Sequence, residues 1–218
     1  MTVISSVTGT IKPGRFEDFL SQGLEVAKLY ERLGASEVRL LNAAVAGEAS
    51  NTWVFSAEYE NAESYGAFTD ELLADPEMQS LLMRIRSADS PVDIQQLSTS
   101  TEIPLDRKKK AGRGNIVEVY VSRVTPGRLE EALESAKRAL TFVERHGARN
   151  GGLFQLGAAG SGTGLMLASW EFANMRAAGK AADAWSTDPK GQAIAAQMYD
   201  ADSPTTMVFG GMYQVVPL

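Results

Sequence analysis

At 218 residues, 44% hydrophobic and 22% charged, the chain is large enough to bury one substantial core or two small ones, which excludes a disordered protein. The net charge of −6 argues against nucleic acid or an anionic membrane as partner, and neither a bilayer-spanning apolar run nor a signal-peptide core is present. The absence of cysteine rules out disulfides and thiolate zinc sites, and a cytoplasmic location is expected.

From the N-terminus, Val3 to Ile11 is short, β-branched and ended by Lys12-Pro13-Gly14, so it reads as a strand. A helical spacing follows through Phe16, Phe19, Leu20, Leu24, Ala27, Tyr30 and Leu33, and Gly34 stops it. Val38 to Val45 and Thr52 to Tyr59 then predict two strands around a hairpin. A second helix begins near Asn61 and is interrupted at Asp75-Pro76, where Asp can cap and Pro can open a further helical segment. A last strand runs from about Val92 to Ile103.

The same order then returns. With Gly14 set on Gly127, the sequence matches itself without a gap: Glu58 falls on Glu171, Asn61 on Asn174, Asp75-Pro76 on Asp188-Pro189, and Ala88-Asp-Ser-Pro91 on Ala201-Asp-Ser-Pro204. The second copy predicts strands at 116–124, 153–156, 165–172 and 205–216, with helices after Arg128 and Asn174. The expected organisation is a repeat over 1–105, a basic linker over 106–114 and a second repeat over 115–218. The linker, Asp106-Arg-Lys-Lys-Lys-Ala-Gly-Arg-Gly114, reads as a solvated connector.

Each copy is therefore β-α-β-β-α-β, the ferredoxin-like unit. Such a sheet has helices on one face only, and a second copy can cover the other. The expected fold is α+β: two tandem ferredoxin-like repeats closing into an intrachain pseudo-dimeric barrel with helices outside.

The strand followed by Pro-Gly-Arg and a helix, the strand end Ala57-Glu-Tyr-Glu-Asn61, and the turn Leu73-Ala-Asp-Pro-Glu-Met-Gln79 resemble the dimeric α+β barrel superfamily, most closely its NIPSNAP and antibiotic-biosynthesis-monooxygenase branches. The resemblance covers both halves, one chain corresponding to a fused dimer. It implies a small hydrophobic or aromatic ligand and, in the cofactor-free monooxygenases, a substrate cavity between sheet and helices. It also leaves homo-oligomer formation open. In those enzymes an Asn on the third strand and an aromatic four residues later line the cavity. Here Phe55 and Ala168 stand at the Asn position, which departs from that chemistry, while Tyr59 and Phe172 keep the aromatic. The haem branches use a histidine on a later helix, which neither second helix of this chain contains, so no cofactor is expected.

Alternation places Trp53, Phe55, Ala57 and Tyr59 on one face of the third strand, with Met166, Ala168, Trp170 and Phe172 as their counterparts. These aromatics either fill the layer between sheet and helices or line a ligand site. Trp53, Tyr59, Tyr65 and Trp170 are the candidate binding residues, with Gln155, and its equivalent Asn42, as amides able to orient a ligand. Glu118 and Tyr120 lie on one face of the second copy's first strand, where the first copy has Ser5 and Val7. A carboxyl beside a phenol among apolar neighbours can form a proton-transfer pair, and these two are the candidate catalytic residues. Glu58 and Glu171, of opposite parity and kept in both copies, predict a structural link. The lone histidine, His146, predicts a helix-end interaction at the surface, and one imidazole makes a poor metal site. The glycine run 157–164 joins strand to strand and lacks a following Lys, so it predicts a flexible hairpin tip and no phosphate cradle.

Overall fold

A computed structural model describes all of residues 1–218. The first half runs β1 (Val3–Ile11), α1 (Phe16–Arg32), β2 (Glu37–Val45), β3 (Thr52–Tyr59), α2 (Ala62–Ala74), α3 (Pro76–Ile85) and β4 (Val92–Glu102). The second half repeats this order as β5 (Ile116–Val124), α4 (Leu129–Arg145), β6 (Arg149–Leu156), β7 (Met166–Phe172), α5 (Met175–Thr187), α6 (Pro189–Tyr199) and β8 (Thr205–Val216).

The eight strands form one closed antiparallel barrel in the order β1-β3-β2-β8-β5-β7-β6-β4. Each half supplies four neighbouring strands, and the seams are β2 with β8 and β4 with β6. Closure leaves no strand edge open to pairing with another chain. The helices lie outside and cover one face of every strand, so each half has its own sheet–helix core. In the second half that core is one contiguous cluster around Leu140, Val143, Trp170 and Phe172; in the first it is divided into one cluster around Tyr59, Phe68 and Leu81 and another around Phe19, Trp53 and Phe55.

Local chemistry explains the helix boundaries. Asn61 Oδ1 accepts from Ser64 N, and Asn174 Oδ1 accepts from Ala177 N, at 2.9 and 3.0 Å. Asp75 and Asp188 cap α3 and α6 in the same way, with Pro76 and Pro189 as first residues, where a missing N–H costs nothing.

Three expectations need correction. Strand β6 starts at Arg149 rather than Leu153, because a register shift between Arg149 and Gly152, with Asn150 at φ 49°, carries pairing through the glycines. The hairpin tip after β6 is docked on β4: Gly157 N donates to Thr99 O at 2.8 Å and Gln96 Nε2 donates to Ala159 O at 3.0 Å. The linker is more than a solvated connector. Arg107 forms a buried pair with Glu144 at 2.8 Å, and Arg113 Nη1 reaches Glu171 across the barrel end at 2.9 Å. Gly114 sits so close to Phe172 that a Cβ there would lie 2.3 Å from the Phe172 carbonyl oxygen, which requires glycine.

Candidate functional site

Two regions of the sheet–helix layers carry the candidate residues, one in each half, and they differ in kind. In the second half Glu118 on β5 points toward the helices and is 8% exposed. Both its carboxylate oxygens are engaged: Tyr120 Oη donates to Oε1 at 2.7 Å and Trp170 Nε1 donates to Oε2 at 2.7 Å. Strand parity brings Tyr120 to the same face two residues on, while the β5–β7 register sets Trp170 directly opposite Glu118. The Tyr120 and Trp170 rings stack with centroids 5.2 Å apart, so the carboxyl is held by an aromatic pair. Burial pushes the Glu118 carboxyl above its ordinary range, and the two donors only partly offset this. Burial, and then the neighbouring Glu118, also raise the Tyr120 phenol. The first half has only a weak analogue, Ser5 Oγ donating to Tyr59 Oη at 3.4 Å.

In the first half the layer is not filled. A pocket of about 210 Å³ lies between β1, β3, α1 and α3, walled by Val7, Phe19, Leu40, Trp53, Phe55 and Met78 among others. Gly23 of α1 allows the helix to approach the sheet here, since a Cβ would lie 2.9 Å from a Leu40 methyl. Trp53 is 5% exposed, and its indole Nε1 is a buried side-chain donor with no partner. An unmade hydrogen bond of this kind costs about 1–3 kcal/mol. Tyr30 also lines the pocket, its phenol pushed up to about 12 by burial and by Tyr65.

The remaining candidates are dispersed. Tyr59 is buried in the first half's other cluster, its ring 5.2 Å from that of Tyr65. Gln155 is exposed, pairs with Thr101 at the β4–β6 seam and meets none of the others. His146 ends α4, its Nε2 3.7 Å from Asp188 and its ring against Phe142. No group of His, Asp and Glu able to hold a metal ion is present.

Glu171, read from sequence as a structural link, is at the hub of an ion cluster at one end of the barrel. Its Oε1 accepts from Arg39 Nη1 at 2.7 Å, Arg113 Nη1 at 2.9 Å and Asn150 Nδ2 at 2.8 Å, and its Oε2 accepts from Gly114 N at 2.7 Å. Arg113 also contacts Glu58 and Glu37, which joins both repeats and the linker. Burial pushes the Glu171 carboxyl up, but Asn150, the Gly114 N–H and Arg39 together hold it below the usual range.

No family model matches the chain, and no curated protein does. Solved structures do match over nearly the full length. A candidate monooxygenase from Fusobacterium nucleatum has a TM-score of 0.60 at 13% identity, covering 98% of this chain and 93% of its own. An anthrone oxidase-like protein has a TM-score of 0.63 at 14% identity, covering 99% and 91%. Chlorite dismutase from Candidatus Nitrospira defluvii has a TM-score of 0.56 at 8% identity, again covering 99% and 91%. At such identities the likeness is one of fold, and it extends across both halves: the chain has the dimeric α+β barrel architecture, completed within one polypeptide.

Proposed function

We propose that the protein binds a small, neutral, hydrophobic or aromatic molecule in the sheet–helix layer of its first repeat. One observation carries this reading: the layer keeps about 210 Å³ of unfilled apolar space beside a Trp53 whose buried indole N–H has no partner. Interiors normally pack to crystal-like density, so this unfilled space favours an occupant that supplies apolar surface, while the unpaired Trp53 N–H, sealed from the space, shows how loosely the layer is fitted around it. The sequence resemblance to the cofactor-free antibiotic-biosynthesis monooxygenases, whose substrate cavity lies between sheet and helices, supports the same layer as the place for a ligand.

Binding without catalysis is the better-supported form of this reading at the pocket, because its one phenol, Tyr30, holds its proton up to about pH 12. A cofactor-independent oxygenase or isomerase is a second reading, favoured by Glu118. A buried carboxyl with a raised pKa, joined to the Tyr120 phenol, has the composition of a proton-transfer pair, with Glu118 as base. The anthrone oxidase-like neighbour suggests a test substrate. Oxidation would begin with loss of a proton from the anthrone methylene. The carbanion would then give electrons to dioxygen, and anthraquinone and one water would leave.

One set of measurements separates the two. Naphthalene should raise the thermal midpoint of the wild-type chain, and Val7→Phe, which fills the pocket, should abolish that rise. A midpoint indifferent to naphthalene, or a rise that Val7→Phe retains, would remove the pocket reading. Dioxygen uptake with anthrone that Glu118→Gln abolishes would establish the enzyme reading, whereas uptake equal to the protein-free rate would eliminate it for this substrate.

A further inference from the structure

The barrel also encloses a larger space, a cavity of about 610 Å³ lined by inward-facing side chains that take no part in either sheet–helix layer. Its two sides differ in chemistry. On the first repeat's side, the inward positions of β1, β3 and β4 carry Ser6, Thr8, Ser56, Ser98 and Ser100, with Ile4 and Val54 at the neighbouring levels. The ladder register places Ser56, Ser6 and Ser98 side by side at one level across the three strands. None of these hydroxyls is bonded to another protein group, and none is sealed away as the Trp53 N–H is, so each presents its hydrogen-bonding capacity to the cavity. On the second repeat's side the wall is mainly apolar, Val117, Val119, Val121, Leu167 and Phe209 with Tyr213, and Ser169 is the one serine its strands turn inward. The repeat is thus broken chemically at some inward positions, where Ser6 and Thr8 face the cavity in one copy and Val119 and Val121 in the other, while Ser56 keeps its counterpart in Ser169.

Charge narrows the occupant further. Arg39 and Glu171 neutralise each other across one end of the cavity, and Lys109 pairs with Glu102 at 3.4 Å. Arg123 lines the opposite mouth with an exposed side chain, near Gln96 and Ser161. The interior therefore offers hydroxyls and apolar surface without a buried unpaired charge, and burying an ionised group there would go uncompensated.

We propose that the barrel interior is a second binding site, for a neutral small molecule with oxygen atoms along one edge and an apolar opposite face. The oxygenated edge lies along Ser56, Ser6 and Ser98, and the apolar face packs on Val119 and Leu167. The volume is in the range of small-molecule sites, about 300–1,000 Å³. This site is independent of the pocket in the sheet–helix layer.

Chrysazin, an anthraquinone whose two hydroxyls flank one carbonyl on the same edge, is a suitable test molecule. Its binding to the full chain is measured by equilibrium dialysis at a pH where its phenols are neutral. The wild type should bind saturably. The triple variant Ser6→Ala, Ser56→Ala, Ser98→Ala, which keeps the volume but removes the hydroxyl row, should bind at least about tenfold more weakly. Val119→Trp, which fills the cavity, should abolish binding, and Val7→Phe in the separate layer pocket should leave it unchanged. If Val119→Trp does not fold, the triple variant alone decides. Absence of saturable binding, equal binding by the triple variant, or loss through Val7→Phe would each overturn the proposal.

Discussion

Glu118 meets two opposed demands. Burial disfavours its charge, and both of its oxygens accept hydrogen bonds that favour it. Burial dominates, so the folded carboxyl holds its proton to higher pH than the unfolded one. The folded state binds more protons between the ordinary glutamate pKa and the raised one, so stability falls as pH rises across that interval and levels off above it. Glu118→Gln keeps the shape, lets its amide oxygen accept from Trp170 and its amide nitrogen donate to Tyr120, and removes the titration. Midpoints measured from pH 4 to 9 should show the variant gaining on the wild type as pH rises, by an amount that then becomes constant. Parallel curves for the two proteins would mean that Glu118 is not the group responsible. Parity of β5 made the Glu118–Tyr120 pairing legible in the sequence, since residues two apart share a face. Trp170 as second donor was not, because it depends on the β5–β7 register, and the unfilled space beside Trp53 depends on how closely α1 and α3 approach the sheet.

At the level of helices, the paired caps of the two copies differ in what else they hold. Asp75 accepts from Met78 N at 2.8 Å and also takes Arg32 Nη1 at 2.9 Å, tying the end of α1 to the start of α3. Asp188 accepts from Lys190 N at 2.8 Å, but its contact with the end of α4 is only the His146 ring at 3.7 Å. Loss of a capping side chain costs about 1 kcal/mol. Asp188→Ala should therefore lower stability by about 1 kcal/mol and Asp75→Ala by somewhat more, read as the shift of a urea unfolding midpoint at constant slope. Equal losses would show that the Arg32 contact contributes nothing, as many exposed ion pairs do not. These helices were readable residue by residue because caps, proline positions and apolar spacing are local. The docked glycine hairpin and the early start of β6 were not, since both are fixed by bonds to β4 and β7, far away in sequence.

For the whole molecule, the repeat made two similar sheets legible, but closure depends on seams that no local pattern announces. Besides the β2–β8 and β4–β6 ladders, the halves are joined at Glu171, which binds Arg39 of the first repeat and Arg113 of the linker. The Glu171 and Arg39 side chains are 4% and 11% exposed, so removing the Glu171 charge leaves the buried Arg39 with only Glu37 at 3.9 Å, at a cost of about 3 kcal/mol. Glu171→Gln should lower stability by about that amount at neutral pH. Because the folded carboxyl is held below its ordinary range, its contribution is complete above the unfolded pKa and disappears as pH falls through the lowered value. The wild type should thus lose its advantage over the variant in acid, and the two urea midpoints should converge there. Closure also constrains how the variant unfolds. Neither half can leave the barrel without breaking two ladders and exposing the inward faces of the other, so far-ultraviolet circular dichroism and tryptophan fluorescence should report one coincident transition at the lower midpoint. Trp53 lies in the first half and Trp170 and Trp185 in the second, which allows single-tryptophan versions to test each half separately. Separate midpoints for the two halves would show that the seams do not couple them, and that the barrel behaves as two domains in contact.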